Sequence, residues 1–249
     1  MKKIIFITSL FTLMAATPTH EPGKKITLWL IGDSTMSIKD PKTYPETGWG
    51  MPFVQFWDST IRVDNRAKNG RSTKSFVAEG LWKPVIENMS EGDYVFIQFG
   101  HNDESKEKGE RYSTPDEFKA NLTSYITQSR SKKAIPILLT PVARRKFDEA
   151  GKIKETHLGY SDLVREVAKQ QNVPLIDLDK KAQELYQQMG PENSKFLFNY
   201  LAPDEHPNYP KGMQDDTHFS EFGARKIAEI VLAELRNLKL ELSDRIVKK

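Results

Sequence analysis

The sequence predicts an α/β fold in which a parallel β-sheet is covered by helices on both faces. Apolar runs typical of buried strands alternate along the chain with longer segments of helical periodicity. The polar residues that could carry chemistry follow directly after several of these runs, where ligands of open α/β sheets bind. The chain has 249 residues and no internal repeat or linker, which suits one domain of ordinary size.

Five segments have the composition of strands. The first is a continuous apolar run that ends at Gly32-Asp33-Ser34, which indicates a buried strand leading into a turn. The predicted strands are Ile26–Ile31, Ile61–Asn65, Tyr94–Phe99, Ala134–Leu139 and Pro174–Leu178.

Helical segments lie between and after these strands. The clearest start is Thr114-Pro115-Asp116-Glu117, where Thr114 can cap, Pro115 fits the first helical position and Glu117 completes a capping box. The other predicted helical segments are Gly48–Trp57, Leu81–Met89, Leu158–Gln171, Ala182–Met189 and Ser220 to about Leu238. Residues 141–156 and 198–214 read as long irregular loops, and both could border a site.

The N-terminus resembles a secretory signal peptide. Lys2-Lys3 precedes an apolar run from Ile4 to Ala16 and then small residues, and the run is short for a membrane span. We expect residues 1–17 to be removed on export to the periplasm or the medium, which leaves 18–249 as the working domain. A buried N-terminal strand and a membrane anchor are the alternatives.

Composition excludes several classes of function. The net charge is +3 and falls to +1 without residues 1–17, so nothing favours binding to nucleic acid or membrane. The absence of Cys excludes disulfides, thiolate metal sites and a Cys nucleophile. His157 and His206 lack partners at metal-ligand spacing, so we expect no metal and no cofactor. The oligomeric state is left open.

Ser34 is the candidate nucleophile. It follows the first strand in Ile31-Gly32-Asp33-Ser34-Thr35, where a turn can leave its backbone N–H free to meet an oxyanion. For the triplet alone, an ordinary Asx or Ser turn is the favoured interpretation.

His218 is the candidate base. Asp215 precedes it by three residues and can accept a hydrogen bond from the imidazole, which leaves the other ring nitrogen to take the serine proton. Asp216 competes for this orienting role, but its spacing of two makes it the weaker candidate. A surface acidic turn beside a hydrogen-bonded His is the structural alternative.

Gly70 and Asn102 could complete an oxyanion hole. Asn69-Gly70 can present an unobstructed backbone N–H, and the amide of Asn102 in Gly100-His101-Asn102-Asp103 can donate to a developing negative charge. Plain turns after strands are the alternative for both. His101 would shape its turn rather than react.

Together these residues resemble the SGNH (GDSL-type) hydrolase superfamily over Ile26 to about Leu238, with Ser34, Gly70, Asn102 and His218 in the four named positions. The resemblance implies a flavodoxin-like three-layer α/β/α fold with a central parallel five-stranded sheet. A narrower similarity is to rhamnogalacturonan acetylesterases of carbohydrate esterase family 12, which deacetylate plant cell-wall pectin. It is carried by residues 32–35, 48–50, 69–76, 96–103 and 217–220. Asp216 departs from the small residue more usual in the fungal enzymes.

The resemblance implies a serine esterase with the triad Ser34, His218 and Asp215, and an oxyanion hole formed by Ser34, Gly70 and Asn102. Its expected partner is an acetylated plant cell-wall polysaccharide or oligosaccharide. Rival interpretations are an acetylxylan esterase, a broad-specificity esterase or lipase, and a carbohydrate-binding protein without activity. The polar loops at 39–47 and 203–214 favour a sugar over a lipid.

Substrate contacts are expected from guanidinium and aromatic groups. Arg71, Arg144 and Arg145 could hold a galacturonate carboxylate, although solvated surface charges or ion pairs are the preferred interpretation for them. Trp49 could stack on a sugar ring, as could Tyr44 and Tyr209, with core packing or loop anchoring as the alternative.

Overall fold

The structure, a computed structural model, describes residues 25–247 and is built on a parallel five-stranded sheet. The strand order is β2–β1–β3–β4–β5, which confirms the predicted flavodoxin-like sheet. The strands are β1 (Ile26–Gly32), β2 (Ile61–Asn65), β3 (Tyr94–Gln98), β4 (Ile135–Leu139) and β5 (Leu175–Ile176). The predicted signal peptide, residues 1–17, lies outside the described residues.

The helices cover both faces of this sheet. Their bounds are α1 (Gly50–Phe53), α2 (Thr73–Ala78), α3 (Lys83–Asn88), α4 (Pro115–Ser131), α5 (Tyr160–Gln171), α6 (Leu178–Asn193) and α7 (Glu221–Asn237). None of the helices between residues 25 and 247 has the length and apolar character needed to cross a bilayer.

Strand β1 shows how alternate side chains supply two cores. Leu28 and Leu30 pack in a core shared with α1, α6 and α7, whereas Trp29 and Ile31 pack in a second core shared with α2 to α5. A strand covered on both faces must be apolar on both, which explains the continuous apolar run in the sequence. The predicted capping box of α4 is also present, because Thr114 and Glu117 exchange hydrogen bonds.

The structure corrects the prediction that 198–214 is irregular throughout. Strand β6 (Phe198–Leu201) pairs antiparallel with β7 (Met213–Phe219) to form a separate two-stranded sheet. Strand β7 carries mostly polar residues, so the apolar pattern used to recognise strands was missing.

Two further differences concern short elements. Helix α2 was not predicted, since it has six residues and its capping box joins two serines, Ser72 and Ser75. The fifth predicted strand shrinks to Leu175–Ile176 because Asp177 caps α6 immediately afterwards.

Candidate active site

The candidate residues meet at the carboxyl edge of the central sheet. The chain leaves β1 for β2 on one side and then returns to β3 on the other side of β1. The loops after β1 and β3 therefore diverge and leave a crevice at the strand ends, which is the usual ligand position in such sheets. Ser34, Gly70 and Asn102 follow β1, β2 and β3 in that order.

Ser34 lies on a tight turn that its neighbours hold from both sides. At Gly32 a side chain is excluded, because a Cβ there would lie 2.5 Å from the carbonyl oxygen of Gln98. Asp33 Oδ1 accepts hydrogen bonds from Thr35 N at 3.0 Å and from Thr35 Oγ1 at 2.8 Å. The Ser34 hydroxyl is thereby presented at the crevice, and the residue remains 9 % accessible.

The three predicted triad residues come together in one line of hydrogen bonds. Ser34 Oγ donates to His218 Nε2 at 2.9 Å, and His218 Nδ1 donates to Asp215 Oδ2 at 2.7 Å. Both distances lie within the range for an activated nucleophile and its oriented base. Residues 184 positions apart in the sequence are thus in direct contact.

Asp215 is held in place by the backbone of its own strand. Its Oδ1 accepts from Thr217 N at 2.7 Å and from His218 N at 2.9 Å. Burial raises the pKa of this carboxyl, but the hydrogen bonds from His218 and the backbone outweigh burial and hold the pKa below its ordinary value. The carboxylate stays ionised, as an orienting group requires.

The competitor Asp216 points away from the imidazole. Its Oδ1 accepts from Arg145 Nη1 at 2.7 Å and from the Tyr200 hydroxyl at 2.6 Å. The prediction that Asp215, three residues before His218, orients the imidazole agrees with this geometry. Asp215 and His218 both lie on β7. Ser220 caps α7 two residues beyond His218 by accepting from Gly223 N at 3.1 Å.

Three N–H donors surround the place where an oxyanion would form. Gly70 has a φ of +74°, a conformation that favours glycine. Within residues 25–247, the backbone N–H groups of Ser34 and Gly70 donate to no acceptor. Asn102 donates through Nδ2 to the carbonyl of Arg71 at 2.9 Å, and its Oδ1 accepts from Lys108 Nζ at 2.7 Å. The ammonium fixes the orientation of the amide, and one Nδ2 hydrogen remains available.

A buried pair supports the turns of Ser34 and Asn102. His101 Nδ1 lies 3.0 Å from Asp33 Oδ2, so the two loops are joined directly. Burial lowers the pKa of His101 to about 4 despite the attraction of Asp33. The neutral ring donates through Nδ1, and its buried Nε2 has no hydrogen-bond partner among residues 25–247. His101 thus shapes the turn, as expected from the sequence.

The cleft around Ser34 has a volume of about 500 Å³. Besides the predicted residues it is lined by charged side chains that the sequence did not single out: Glu46, Lys108 and Arg111. Glu46 forms an ion pair with Lys39 at 2.5 Å. Lys108 and Arg111 lie in a 3₁₀ segment, Lys106–Arg111. No local sequence pattern distinguishes them from a run of solvated charges.

Of the predicted substrate contacts, Trp49 is wrong, Arg71 and Arg145 form ion pairs outside the cleft, and Arg144 lines the cleft. Trp49 is fully buried and donates to Gln98 Oε1 at 2.7 Å, so it packs in the core and cannot meet a sugar. Arg71 pairs with Glu79 at 2.6 Å, and Arg145 pairs with Asp216. Neither lines the cleft, in agreement with the ion-pair alternative. Arg144 does line it, while also contacting Glu104 at 2.6 Å.

The remaining aromatic and histidine candidates lie outside this cleft. The hydroxyl of Tyr44 donates to Glu221, and that of Tyr209 donates to the carbonyl of Thr43. His157 is buried between Glu104 and the carbonyl of Val142. Between residues 25 and 247 there is no cluster of three or more His, Cys, Asp or Glu side chains arranged to hold a metal ion.

A family model and several curated proteins match most of this chain in sequence. The model of the GDSL-like Lipase/Acylhydrolase family matches residues 30–226. The chain is 45 % identical over 224 residues to the rhamnogalacturonan acetylesterase RhgT of Bacillus subtilis, covering 90 % of this chain and 95 % of that protein. It is 36 % identical to the probable rhamnogalacturonan acetylesterase YesY of the same organism, over 89 % of this chain and 97 % of the relative.

Solved structures share the fold. The crystal structure of the YxiM protein of Bacillus subtilis matches with a TM-score of 0.75 at 26 % identity, covering 89 % of this chain. This chain spans 59 % of the length of that protein. An acetylxylan esterase of Geobacillus stearothermophilus matches with a TM-score of 0.63 at 20 % identity, over 91 % of this chain and 99 % of the esterase, which shows a common fold.

Proposed function

Because this chain belongs to the GDSL-like Lipase/Acylhydrolase family, we propose that it is a serine esterase that removes acetyl groups from the pectic polysaccharide rhamnogalacturonan. The observation that carries the proposal is the continuous hydrogen-bonded line from Ser34 through His218 to Asp215. The identity to two rhamnogalacturonan acetylesterases supports the choice of substrate.

The proposed reaction begins with attack of Ser34 Oγ on the acetyl carbonyl carbon. His218 Nε2 takes the hydroxyl proton, and Asp215 stabilises the resulting imidazolium through Nδ1. The carbonyl oxygen becomes an oxyanion, for which the N–H groups of Ser34 and Gly70 and the amide of Asn102 are the donors. Lys108 on Asn102 Oδ1 polarises that amide and strengthens its N–H as a donor.

Collapse of this intermediate releases the sugar. The imidazolium returns its proton to the departing sugar oxygen, and the acetyl group stays on Ser34 as an ester. His218 then removes a proton from water, which attacks the acetyl-serine and passes through a second oxyanion. Acetate leaves, and the proton on His218 restores the Ser34 hydroxyl. These steps need no metal or cofactor.

The charged lining of the cleft favours a sugar over a lipid. Lys108, Arg111, Arg144 and Glu46 surround Ser34, and an acyl chain would desolvate these groups without pairing them. The intact Ser34–His218 contact likewise favours an enzyme over a binding protein without activity.

The test is acetate release from acetylated rhamnogalacturonan, acetylated homogalacturonan and acetylated xylan, with 4-nitrophenyl acetate as a general ester. We expect the highest kcat/KM on rhamnogalacturonan, and loss of nearly all turnover in Ser34→Ala. Ser131→Ala, on the exposed end of α4, is the matched control. Equal rates on pectins and xylan would contradict the substrate, and full activity of Ser34→Ala would contradict the mechanism.

We also infer that the protein acts outside the cytoplasm, where pectic polymers occur. The inference rests on the basic and apolar pattern of residues 1–17. The N-terminal sequence of the protein recovered from the periplasm or medium is the test: removal of about 17 residues is expected, and an intact cytoplasmic chain would contradict it.

A further inference from the structure

The cleft of Ser34 contains positive charge that the proposed mechanism does not fully use. Lys108, Arg111 and Arg144 line it, and its one acidic lining residue, Glu46, is already paired with Lys39. Arg144 is paired with Glu104. Lys108 and Arg111 have no carboxylate within ion-pair distance among residues 25–247. Two cations without an ion-pair partner among the described residues therefore stand beside the nucleophile.

Arg111 is placed next to the oxyanion loop. A Cβ added to Gly70 would lie 3.0 Å from Arg111 Nη1, so the guanidinium passes directly over this glycine. Unlike Lys108, which contacts Asn102 Oδ1 and the carbonyl of His101, Arg111 forms no side-chain hydrogen bond within the described part of the chain. Its donors are free to meet a ligand.

The charge of Lys108 is opposed by its surroundings. Burial lowers the pKa of Lys108, repulsion from Arg144 and, to a smaller extent, from Arg111 acts in the same direction, and attraction to Asp33 and Glu104 offsets part of the decrease. An anion placed between Lys108 and Arg111 would relieve this repulsion. A carboxylate suits the guanidinium, whose fork can donate two parallel hydrogen bonds to it.

The position of the cations also suits a polymer. A second hollow of about 620 Å³ adjoins the cleft and shares His101, Lys108 and Arg144 with it. A third hollow of about 600 Å³, on the side of α2, shares Lys108 and Arg111. The segment Lys106–Arg111 thus stands where three hollows meet, and a chain of sugars crossing Ser34 would pass over it.

From this geometry we propose that Arg111 and Lys108 form a carboxylate-binding subsite that holds a uronate of the polysaccharide beside the acetyl group being removed. The proposal rests on the proposed function and deepens it, because it identifies which charged group of the substrate is recognised. It differs from the expectation from the sequence, which placed this role on Arg71, Arg144 and Arg145. Arg111 is the better residue to substitute, because Lys108 also orients Asn102 and its loss would affect the oxyanion hole.

The experiment compares two substrates that differ only in charge: acetylated rhamnogalacturonan oligosaccharides, and the same material with its uronate carboxyls reduced to primary alcohols. The readout is the ratio of kcat/KM for the charged and the reduced substrate. We expect the wild-type ratio to be about 10–100, the value of a charge-assisted hydrogen bond. In Arg111→Ala the ratio should fall at least about tenfold, chiefly through KM.

Two variants make this readout specific. Arg111→Lys keeps the charge without the fork and should retain part of the preference. Arg225→Ala removes the same charge from α7, outside the cleft lining, and should leave the ratio unchanged. Added salt should reduce the ratio in the wild type more than in Arg111→Ala. A wild-type ratio near one, or an unchanged ratio in Arg111→Ala, would overturn the subsite.

Failure of the proposed function gives a different result. An enzyme that cleaves 4-nitrophenyl acetate but neither oligosaccharide would contradict the proposed substrate. The subsite is then tested by inhibition of 4-nitrophenyl acetate hydrolysis with oligogalacturonates. Weaker inhibition of Arg111→Ala than of the wild type supports the subsite, whereas equal inhibition, or none in either, overturns it.

Discussion

Ser34 and His218 are in contact, yet they belong to two regions built in different ways. Ser34 follows β1, where six of the seven residues are buried in the centre of the parallel sheet. His218 lies on β7, where only Phe219 is fully buried, in a separate two-stranded antiparallel sheet. We call these the nucleophile region (β1, β3 and the loops after them) and the base region (β6 and β7).

The two regions position their side chains by different forces. In the nucleophile region, buried Gln98 accepts from Trp49 Nε1 at 2.7 Å and donates to Thr35 Oγ1 at 2.6 Å, so the turn of Ser34 is joined to the core. In the base region, Asp215 is held mostly by its own neighbours, Thr217 and His218. Substitutions should therefore affect activity and stability together in the first region, and activity alone in the second.

The largest expected effect is that of His218→Ala in the base region. Loss of the base should lower kcat by roughly 10⁵–10⁶-fold, as when a triad base is removed. The side chain is partly exposed and belongs to neither hydrophobic core, so the free energy of unfolding should change by less than about 1 kcal/mol. Hydrolysis of 4-nitrophenyl acetate and urea unfolding measure the two quantities. A large loss of stability would contradict the expectation that substitutions in the base region affect activity alone.

Asp215→Asn should come next, with a decrease in kcat of about 10⁴-fold, because the amide favours the wrong tautomer of His218. Asp216→Asn is the matched control from the adjacent position. It weakens a half-exposed ion pair with Arg145 and should change kcat by no more than about fivefold. Similar losses in both variants would mean that β7 as a whole, and not the Asp215–His218 hydrogen bond, sets the activity.

Asn102→Ala tests the nucleophile region. Loss of one oxyanion donor should lower kcat by about 10²–10³-fold. It also removes one of the two acceptors of the Lys108 ammonium and the side-chain donor to the carbonyl of Arg71, which should cost about 1–3 kcal/mol of stability. An activity loss with no change in the unfolding midpoint would contradict the expected coupling of activity and stability in this region.

The last prediction concerns stability and not turnover: the pH dependence of unfolding through Asp103, beside Asn102. Burial raises the pKa of Asp103 to about 7, although Thr73 and Ser113 donate hydrogen bonds to it. The folded protein keeps this proton to about pH 7, whereas the unfolded chain releases it near the ordinary value of 3.8. The stabilising contribution is therefore full below pH 3.8 and is lost as pH rises through 7.

Asp103→Asn removes this titration. Measured against the variant, the wild type should lose stability on the order of a few kcal/mol between about pH 4 and pH 7, with no further change above pH 7. Urea unfolding across this range is the measurement. A difference between the two proteins that does not depend on pH would show that Asp103 ionises normally in the folded state.

The base region was also the harder one to predict. Strands β1 and β3 could be recognised because strands buried on both faces are apolar over most of their length. Strand β7 is mostly polar and partly exposed, so the sequence of 198–214 has the pattern of an irregular loop. The spacing of Asp215 and His218 still identified the pair, because their contact is local and spans three residues.

Contacts between distant segments were outside the reach of sequence patterns. Trp49 is an aromatic residue next to a glycine, and its sequence surroundings suit a sugar platform as well as a core position. Its burial follows from packing against Phe53 and its hydrogen bond to Gln98, 49 residues away. In the same way Arg71 and Arg145 have carboxylate partners that could not be read from neighbouring residues.

The sequence by itself determined the α/β fold, the order of its strands and helices along the chain, and a small set of polar residues at strand ends, because these follow from local periodicity and turn chemistry. Only the tertiary structure decided which charges face the cleft. Lys108 and Arg111 stand beside Ser34 because the 3₁₀ segment after β3 folds back over the loop of Gly70. That placement depends on contacts between segments distant in sequence, which no local pattern encodes.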